Sequence, residues 1–290
     1  MQKLNFIFFG TPDVASDTLE ILKKIEFLPM LIVTSPDAKS GRGLHMQTSP
    51  AGLFAEENNI PCLKPEKLDA EFANQLKFKK YDLSIIVAYG KIIPENILKI
   101  PKLGSINIHY SLLPKYRGAS PVESAILNGE TETGVAIQQM EFKLDSGNIL
   151  AMEKVQIGKN ETAPALRTRL IKIGGELLVK LLQSPFKDGE KQDESQTTFC
   201  KKIKKEDGLI NLNDDPIKNY NKFRAYASWP RTFFFQNNKR IIITDADLIP
   251  ARPDDTCRAG GDSVFVIKKV LPEGRKEIKW EEFLKINTSK

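Results

Sequence analysis

The chain has 290 residues, of which 41% are hydrophobic and 28% are charged, enough apolar material for a sizeable core and too much for a disordered protein. By length we expect two domains. No apolar run approaches the length that crosses a bilayer, and the first one is too short for a secretory signal. Cys62, Cys200 and Cys257 are odd in number and far apart, which argues against a disulfide framework or a zinc site and favours a cytoplasmic protein.

The formal net charge of +6 is unevenly distributed. Residues 197–290 contain nineteen Lys and Arg against thirteen Asp and Glu, whereas residues 1–196 contain 24 of each. A basic carboxyl-terminal part beside a neutral remainder favours a polyanionic partner such as RNA. The alternative interpretation is that these lysines only keep the domain soluble.

The first part of the chain alternates buried strand patterns with helical ones, which predicts a parallel sheet covered on both faces. Thr11 and Ser49 each precede a proline, and each is predicted to be a helix N-cap. A dinucleotide-binding enzyme is disfavoured, because the first strand ends with a single glycine, Gly10, where a pyrophosphate cradle needs three. The predicted strands lie at 4–9, 30–34 and 83–88, and the predicted helices at 13–24, at 52–58 and, as a short helix, from residue 94.

The strand predicted at 105–109 is the most informative segment. Ile106 and Ile108 alternate with Asn107 and His109, so the two polar side chains must share the opposite face. Asp145 follows on a turn at 144–147. An amide, an imidazole and a carboxylate are the components of an acyl-transfer site. Each residue alone also has a structural interpretation. An Asn or a His near the end of a strand often forms a turn or a structural hydrogen bond, and an Asp before Ser-Gly is typical of an Asx turn.

The remaining elements complete a two-domain plan. A leucine-rich helix at 164–182, with Thr162 as its cap, ends the first domain, which we place at residues 1–183. Residues 184–200 are polar and aperiodic, which predicts a linker. Residues 201–290 form a compact β-rich second domain. Further predicted elements are a helix at 121–127, strands at 134–141, 149–157 and 208–212, a helix at 216–227, and strands at 231–236, 240–248 and 263–271.

Taken together, these motifs resemble the formyltetrahydrofolate-dependent formyltransferases. The resemblance is collinear over nearly the whole chain, which makes it specific although each fragment alone is weak. It is carried by Phe9-Gly-Thr-Pro12, Ser35-Pro-Asp37, Gly41-Arg-Gly43, Val87-Ala-Tyr-Gly90, Asn107, His109, Ser111-Leu-Leu-Pro114, Tyr116-Arg-Gly118, Asp145-Ser-Gly147 and Arg224-Ala-Tyr-Ala-Ser-Trp-Pro230.

The resemblance implies an α/β fold in which a Rossmann-like, mostly parallel sheet domain precedes a small oligonucleotide-binding-like (OB-like) barrel. It implies transfer of a formyl group from 10-formyltetrahydrofolate, a co-substrate, to the α-amino group of methionyl initiator tRNA, in support of translation initiation. A metal is not expected, since His45 and His109 are the only histidines. We further expect a monomer with no membrane partner.

The resemblance also assigns roles to residues. Asn107 would donate to the oxyanion, and His109 and Asp145 would handle the proton, with the choice between them as base left open. Folate would be bound largely through backbone, with the 142–147 loop alongside. The implied folate contacts are Val87, Ala88, Tyr89, Gly90, Ser111, Leu112, Leu113 and Pro114, and the implied tRNA contacts are Arg42, in the long 35–47 loop, with Lys201, Lys202, Lys204 and Lys205.

Two classes of alternative function remain at this stage. Related enzymes formylate glycinamide ribonucleotide or amino sugars, and one hydrolase relative releases formate. The basic second domain and the loop around Arg42 favour a tRNA substrate over these. A non-catalytic RNA-binding protein that retains the fold is the alternative from a different class.

Overall fold

In the computed structural model, residues 4–40, 45–185, 188–251 and 263–288 are described. The chain forms two compact units that interleave along the sequence. The first comprises Met1–Gly118, Gly134–Val155 and Thr168–Phe199, and the second comprises Ala119–Thr133, Gln156–Arg167 and Cys200–Lys290. The domain limits 1–183 and 201–290, with a linker at 184–200, stay a prediction.

The strands are β1 Phe6–Gly10, β2 Leu31–Val33, β3 Ala38–Ser40, β4 His45–Gln47, β5 Cys62–Leu63, β6 Leu83–Val87, β7 Ser105–His109, β8 Arg117–Gly118, β9 Glu132–Gln139, β10 Ile149–Gln156, β11 Phe199–Cys200, β12 Phe233–Gln236, β13 Lys239–Pro250, β14 Ser263–Pro272 and β15 Ile278–Lys279. The helices are α1 Asp13–Lys23, α2 Pro50–Glu57, α3 Ala70–Lys77, α4 Glu95–Leu98, α5 Pro121–Leu127, α6 Ala163–Leu182, α7 Pro216–Ala225 and α8 Trp280–Thr288.

A seven-stranded sheet in the order β10-β9-β7-β6-β1-β2-β5 is the frame of the first unit. From β7 to β5 every neighbouring pair is parallel, and β9 runs antiparallel to β7. All residues of β1 and β6 are buried, as expected for strands covered on both faces. The predicted mostly parallel sheet is therefore confirmed. Because β6 and β7 are parallel neighbours, the segments that follow Val87 and His109 leave the same edge of the sheet.

Two predictions about helix starts have different outcomes. Ser49 caps α2 as predicted, since its hydroxyl accepts a hydrogen bond from the Gly52 amide at 3.1 Å. The cap predicted at Thr11 is wrong: Pro12 occupies the N-cap of α1, and the Thr11 hydroxyl donates to the Tyr89 carbonyl at 3.0 Å. The hydroxyl is used to fix the turn after β6, which leaves the helix without a side-chain cap.

The second unit contains a four-stranded antiparallel sheet in the order β12-β13-β14-β15. This confirms the predicted β-rich carboxyl-terminal part as a small antiparallel sheet. Its core combines the inward faces of the strands with one side of α7 and of α8, namely Ile210, Tyr220, Phe234, Ile241, Ile243, Ala246, Phe265, Ile267, Val270 and Phe283.

The strand predicted at 208–212 is wrong. Lys205–Gly208 forms a short 3₁₀ helix, and only Leu209 makes an isolated bridge, with Phe233. At Gly208 a Cβ would lie 2.3 Å from the Arg231 carbonyl oxygen, so the end of the 3₁₀ helix requires glycine. Beyond Leu209 the Ile210 amide still donates to the Phe233 carbonyl at 2.9 Å, but no further ladder forms in this segment.

No helix in the described part of the chain is both long and apolar enough to cross a membrane.

Candidate active site

Strand β7 presents two polar side chains at the carboxyl edge of the parallel strands. Ile106 and Ile108 are fully buried in the core, as the alternation predicts. On the other face His109 is buried and Asn107 is half-buried. Among the described residues, the side-chain amide of Asn107 has no hydrogen-bond partner, so its two N–H groups are available to a ligand.

The imidazole of His109 lies between a backbone carbonyl and a carboxylate. Its Nε2 is 2.9 Å from the Tyr116 carbonyl oxygen, which can only accept, so Nε2 carries a proton in this arrangement. Its Nδ1 is 3.7 Å from Oδ2 of Asp145. That separation is too long for a hydrogen bond but close enough for strong attraction when the ring is protonated. Nδ1 is therefore the ring nitrogen left for proton transfer.

The carboxylate of Asp145 is fixed in orientation by two donors. The Gly118 amide donates to Oδ2 at 2.8 Å, and the side-chain amide of Gln138 donates to Oδ1 at 2.9 Å. Gln138 is fully buried on β9, directly opposite Asn107 in the sheet register. The structure thus brings the predicted Asn107, His109 and Asp145 to one edge of the sheet.

The turn that carries Asp145 is unusually tight. Asp145 itself has a φ of 47°, a left-handed conformation that Asp tolerates better than most residues. At Gly147 a Cβ would lie 1.8 Å from the carbonyl oxygen of Gln139, so only glycine fits beside that strand. The predicted Asp-Ser-Gly turn has a steric reason for its glycine.

A polar network that runs from the half-buried Gln192 through the buried Arg117 to the exposed Glu194 was missed by the sequence reasoning. Gln192 donates to the carbonyl oxygens of Asp145 and Gly147 at 2.9 and 2.7 Å, and its own oxygen accepts two hydrogen bonds from Arg117 at 2.6 and 3.0 Å. The Arg117 side chain is fully buried and also donates to both carboxylate oxygens of Glu194, at 2.7 and 3.3 Å. No pattern in the polar 188–199 segment pointed to these contacts.

Glu194 lies at the outer end of this network. The hydrogen bonds from Arg117 and then from Lys143 lower the pKa of the Glu194 carboxyl to about 2. Lys143 precedes Asp145 in the same loop, and its ammonium is 3.1 Å from Glu194. The 188–199 segment therefore contacts the Asp145 loop from two sides.

The first group of predicted folate residues follows β6. Val87 and Tyr89 are buried, whereas Ala88 and Gly90 are exposed and have φ angles of 47° and 82°. Burial raises the pKa of Tyr89 to about 12, so its phenol is neutral at physiological pH. A Cβ at Gly90 would meet no atom within 4 Å, which shows open space beside this backbone.

The second group follows β7. Ser111 is buried and its hydroxyl donates to the Lys115 carbonyl at 2.6 Å, and Leu113 is buried in the core. Leu112 and Pro114 are half-buried. The side chains of Ser111 and Leu113 are thus engaged within the protein, which leaves the backbone as their means of contact with a ligand.

The predicted tRNA contacts lie in two places. Arg42, with Gly41 and Gly43, lies outside the described residues; the flanking strands β3 and β4 pair as an antiparallel hairpin. At the base of this loop the Thr34 and Ser49 hydroxyls are 2.6 Å apart. Lys201, Lys202, Lys204 and Lys205 are all exposed at the start of the carboxyl-terminal part.

Within the ranges that the structure describes, no group of three or more His, Cys, Asp or Glu side chains is arranged to bind a metal ion.

Comparison with known proteins gives a consistent result over both parts of the chain. A family model described as formyl transferase matches residues 2–182, and one described as formyl transferase, C-terminal domain, matches residues 202–288. A methionyl-tRNA formyltransferase of Geobacter metallireducens is 37% identical over 298 aligned residues, covering 98% of this chain and 96% of the relative. One of Sulfurihydrogenibium sp. is 34% identical over 274, covering 91% and 88%.

Solved structures agree in fold. WlaRD, a sugar 3N-formyl transferase, has a TM-score of 0.66 at 20% identity, covering 95% of this chain and 100% of that one. The methionyl-tRNA formyltransferase from Clostridium thermocellum has a TM-score of 0.61 at 17% identity, covering 95% and 99%. At these identities the likeness concerns the fold alone. The two family models and the full-length relatives together show that this chain belongs to the formyl transferase family.

Proposed function

We propose that the protein transfers a formyl group from 10-formyltetrahydrofolate to the α-amino group of methionyl initiator tRNA, in the cytoplasm and as a monomer, for translation initiation. The observation that carries the proposal is that relatives named methionyl-tRNA formyltransferase align at 34–37% identity along the first domain and along the basic carboxyl-terminal part as well. The net charge of that part suits a polyanionic substrate.

In the proposed reaction the methionyl amine attacks the formyl carbon. A nitrogen–carbon bond forms, and the formyl oxygen becomes an oxyanion in a tetrahedral intermediate. Asn107 donates a side-chain N–H to that oxygen, a role supported by its amide at the sheet edge, which has no hydrogen-bond partner in the part of the chain that the structure describes. A donor already in place stabilises the developing charge without reorganisation.

The proton of the attacking amine is taken by the pair formed by His109 and Asp145. Nδ1 of His109, which faces Asp145 at 3.7 Å, is available for this transfer, and the carboxylate stabilises the ring once it is protonated. The bond between the formyl carbon and N10 of the folate then breaks, and the proton passes to N10. The products are formylmethionyl-tRNA and tetrahydrofolate, so atoms and charge balance.

The folate lies along the backbone of residues 87–90 and 111–114 in this proposal. The exposed backbone at Ala88 and Gly90 offers hydrogen-bonding groups, and the exposed ring of Phe142 on the Asp145 loop offers an apolar surface. Lys201, Lys202, Lys204, Lys205 and Arg42 contact tRNA phosphates. The assignment of Arg42 rests on the family resemblance alone, whereas that of the four lysines rests also on their exposure.

The test is a transfer assay with three acceptors: methionyl initiator tRNA, the same tRNA uncharged, and a nucleotide-linked amino sugar. Mass spectrometry of the released amino acid detects the formyl group. We expect formylation only of the charged tRNA, and only when 10-formyltetrahydrofolate is present. Transfer to the amino sugar alone would overturn the proposal, and tRNA binding without any transfer would favour a non-catalytic RNA-binding protein.

A further inference from the structure

The 188–199 segment is hydrogen-bonded to other parts of the first unit near both of its ends. Glu190 exchanges two backbone hydrogen bonds with Ile149, at 2.8 and 2.9 Å. At its other end Thr198 accepts hydrogen bonds from the Tyr116 and Arg117 amides, both at 2.9 Å. Gln192 therefore extends from a segment that is fixed at both ends, beside the two loops that carry Asp145 and Gly118.

Gln192 connects those two loops through its single amide group. Its nitrogen donates to the Asp145 and Gly147 carbonyls in the turn, and at the longer distance of 3.3 Å to Oε1 of Gln138, the residue that donates to the Asp145 carboxylate. The side-chain oxygen of Gln192 accepts a hydrogen bond from the Arg117 side chain. The next residue is Gly118, and the backbone amide of Gly118 donates to the Asp145 carboxylate. A shift of Gln192 would therefore move Asp145 in two ways, through the hydrogen bond to its backbone carbonyl and through the Gly118 amide that binds its carboxylate.

Arg117 makes this connection rigid. Its guanidinium is fully buried and permanently charged, and it has Gln192 and Glu194 as acceptors. Loss of the acceptors would leave a buried cation unpaired and would strongly destabilise the folded protein, so the contacts of Arg117 with its partners are maintained. The planar guanidinium fixes the geometry of the acceptors around it.

We infer that Gln192 is a positioning residue that sets the orientation of Asp145 toward His109, without itself touching substrate. This rests on the proposed function only in so far as Asp145 belongs to the proton-transfer pair. The role is geometric: the Asp145 carboxylate must be held close to Nδ1 of His109, and a misplacement of about 1 Å at a reacting group can cost about a hundredfold in rate.

The decisive variant is Gln192→Glu. A carboxylate keeps the shape of the side chain and its acceptor for Arg117, so folding is retained. A glutamate side chain has no N–H to donate. Its negative oxygen would face the partly negative oxygens of the Asp145 and Gly147 carbonyls, which lie 2.9 and 2.7 Å from the Gln192 nitrogen in the wild type, and would repel them. The matched control is Gln196→Glu, the same change on an exposed glutamine of the same segment, whose side-chain amide donates to Asp193.

Two measurements test the inference. In formyl transfer we expect kcat of Gln192→Glu to fall roughly tenfold to a hundredfold, with unchanged KM for folate and tRNA. In amide hydrogen exchange we expect the Gly118 N–H to exchange faster, since its acceptor is displaced, while β1 amides exchange as in the wild type. The control should change neither readout.

A wild-type kcat together with wild-type Gly118 exchange in Gln192→Glu would overturn the inference. Failure of the proposed function has a different signature, because the wild-type protein would then transfer no formyl group to methionyl-tRNA. The exchange measurement would still test the positioning role in that case. Faster exchange at Gly118 would support it and unchanged exchange would overturn it.

Discussion

Asn107 lies on β7 between two core residues, and its side chain is on the opposite face of the strand from theirs. Because Ile106 and Ile108 anchor the strand in the core and the Asn107 amide makes no hydrogen bond among the described residues, removing that amide should hardly change stability. Its effect on the reaction should be much larger, since the intermediate would lose a donor to its oxyanion.

We therefore predict that Asn107→Ala lowers kcat about a hundredfold to a thousandfold while the midpoint of thermal unfolding is preserved. The measurement is formyl transfer under single-turnover conditions together with tRNA binding, which should be unaffected. Asn96→Ala, on an exposed position of α4, is the matched control and should behave as the wild type. Full activity in Asn107→Ala would remove this residue from the mechanism.

A second prediction concerns Gly147. A methyl group at this position would lie 1.8 Å from a backbone oxygen of β9, so the turn that carries Asp145 must move. We expect Gly147→Ala to destabilise the protein by about 1–3 kcal/mol and to reduce transfer, measured by chemical unfolding and by kcat. In the control Gly158→Ala, the nearest atom is the Cβ of Glu161 at 3.2 Å, so a shift of a few tenths of an ångström would suffice and a clearly smaller effect is expected.

Sequence could predict Asn107, His109 and Asp145 because each belongs to a local pattern. The alternation on β7 fixes the faces of Asn107 and His109, and the Asp-Ser-Gly turn is visible in four residues. Gln192 could not be found in the same way, because its hydrogen-bond partners lie 45 to 75 residues away in the sequence and nothing local marks it. Arg117 belongs to the Tyr116-Arg-Gly118 motif, but its partners Gln192 and Glu194 lie 75 and 77 residues away. Gln138 is only seven residues from Asp145, yet no motif includes it. Hydrogen bonds between distant segments depend on topology, which the residue pattern does not encode directly.

Among the elements, the 188–199 segment carries a pH prediction. The pKa of Glu194 is lowered from its ordinary 4.5 to about 2, so the carboxylate stabilises the folded state fully above pH 4.5. This contribution is lost as the pH falls from 4.5 toward 2, where the group takes up a proton in the folded protein too. The loss should loosen the contacts with Arg117 and Lys143.

We expect Glu194→Gln to show a shallower decrease of unfolding free energy between pH 4.5 and pH 2 than the wild type. The measurement is urea unfolding at a series of pH values in that window. High salt should reduce the difference between the two proteins, since the Glu194 side chain is 56% exposed and its ion pair with Lys143 is screened. Parallel pH curves would show that Glu194 does not link the segment to the Asp145 loop.

The elements that sequence predicted best are those whose periodicity is strong. The bounds of β7 and α5 match the prediction at both ends. Helix α3 was missed, although Asp69 caps it and Phe72, Ala73 and Leu76 form its buried side. Length does not explain the difference, since α5 has seven residues and α3 has eight. The α3 segment has only Phe72 and Leu76 as large apolar residues, which is too few to define a helical periodicity. Short elements are stabilised mainly by packing, which sequence periodicity does not reveal.

For the whole molecule the uneven charge leads to a prediction about tRNA binding. The variant in which Lys201, Lys202, Lys204 and Lys205 are all changed to Ala should bind tRNA more weakly. The slope of log affinity against log salt should become shallower by roughly one unit for each lysine that contacts a phosphate. Binding measured from low to moderate salt gives this slope directly.

The control replaces four exposed lysines of the first unit, Lys24, Lys77, Lys79 and Lys102, by alanine, which changes the net charge by the same amount. If the basic run contacts RNA, the control should keep the wild-type slope. Equal slopes for the two variants would mean that only total charge matters, and that residues 201–205 are no binding surface. The overall charge pattern was evident from sequence, whereas the interleaving of the two units was not.

The engagement of Arg117 by Gln192 and Glu194 has a consequence for how members of this family can be recombined. The first family match ends at residue 182 and the second begins at 202, so an exchange of carboxyl-terminal domains would naturally be cut between them. With a junction at residue 182, Gln192 and Glu194 would come from the donor protein, whereas the buried Arg117 would come from the recipient. A junction placed after Thr198 would transplant the carboxyl-terminal domain and leave Gln192 and Glu194 with their own Arg117 and their own Asp145 loop.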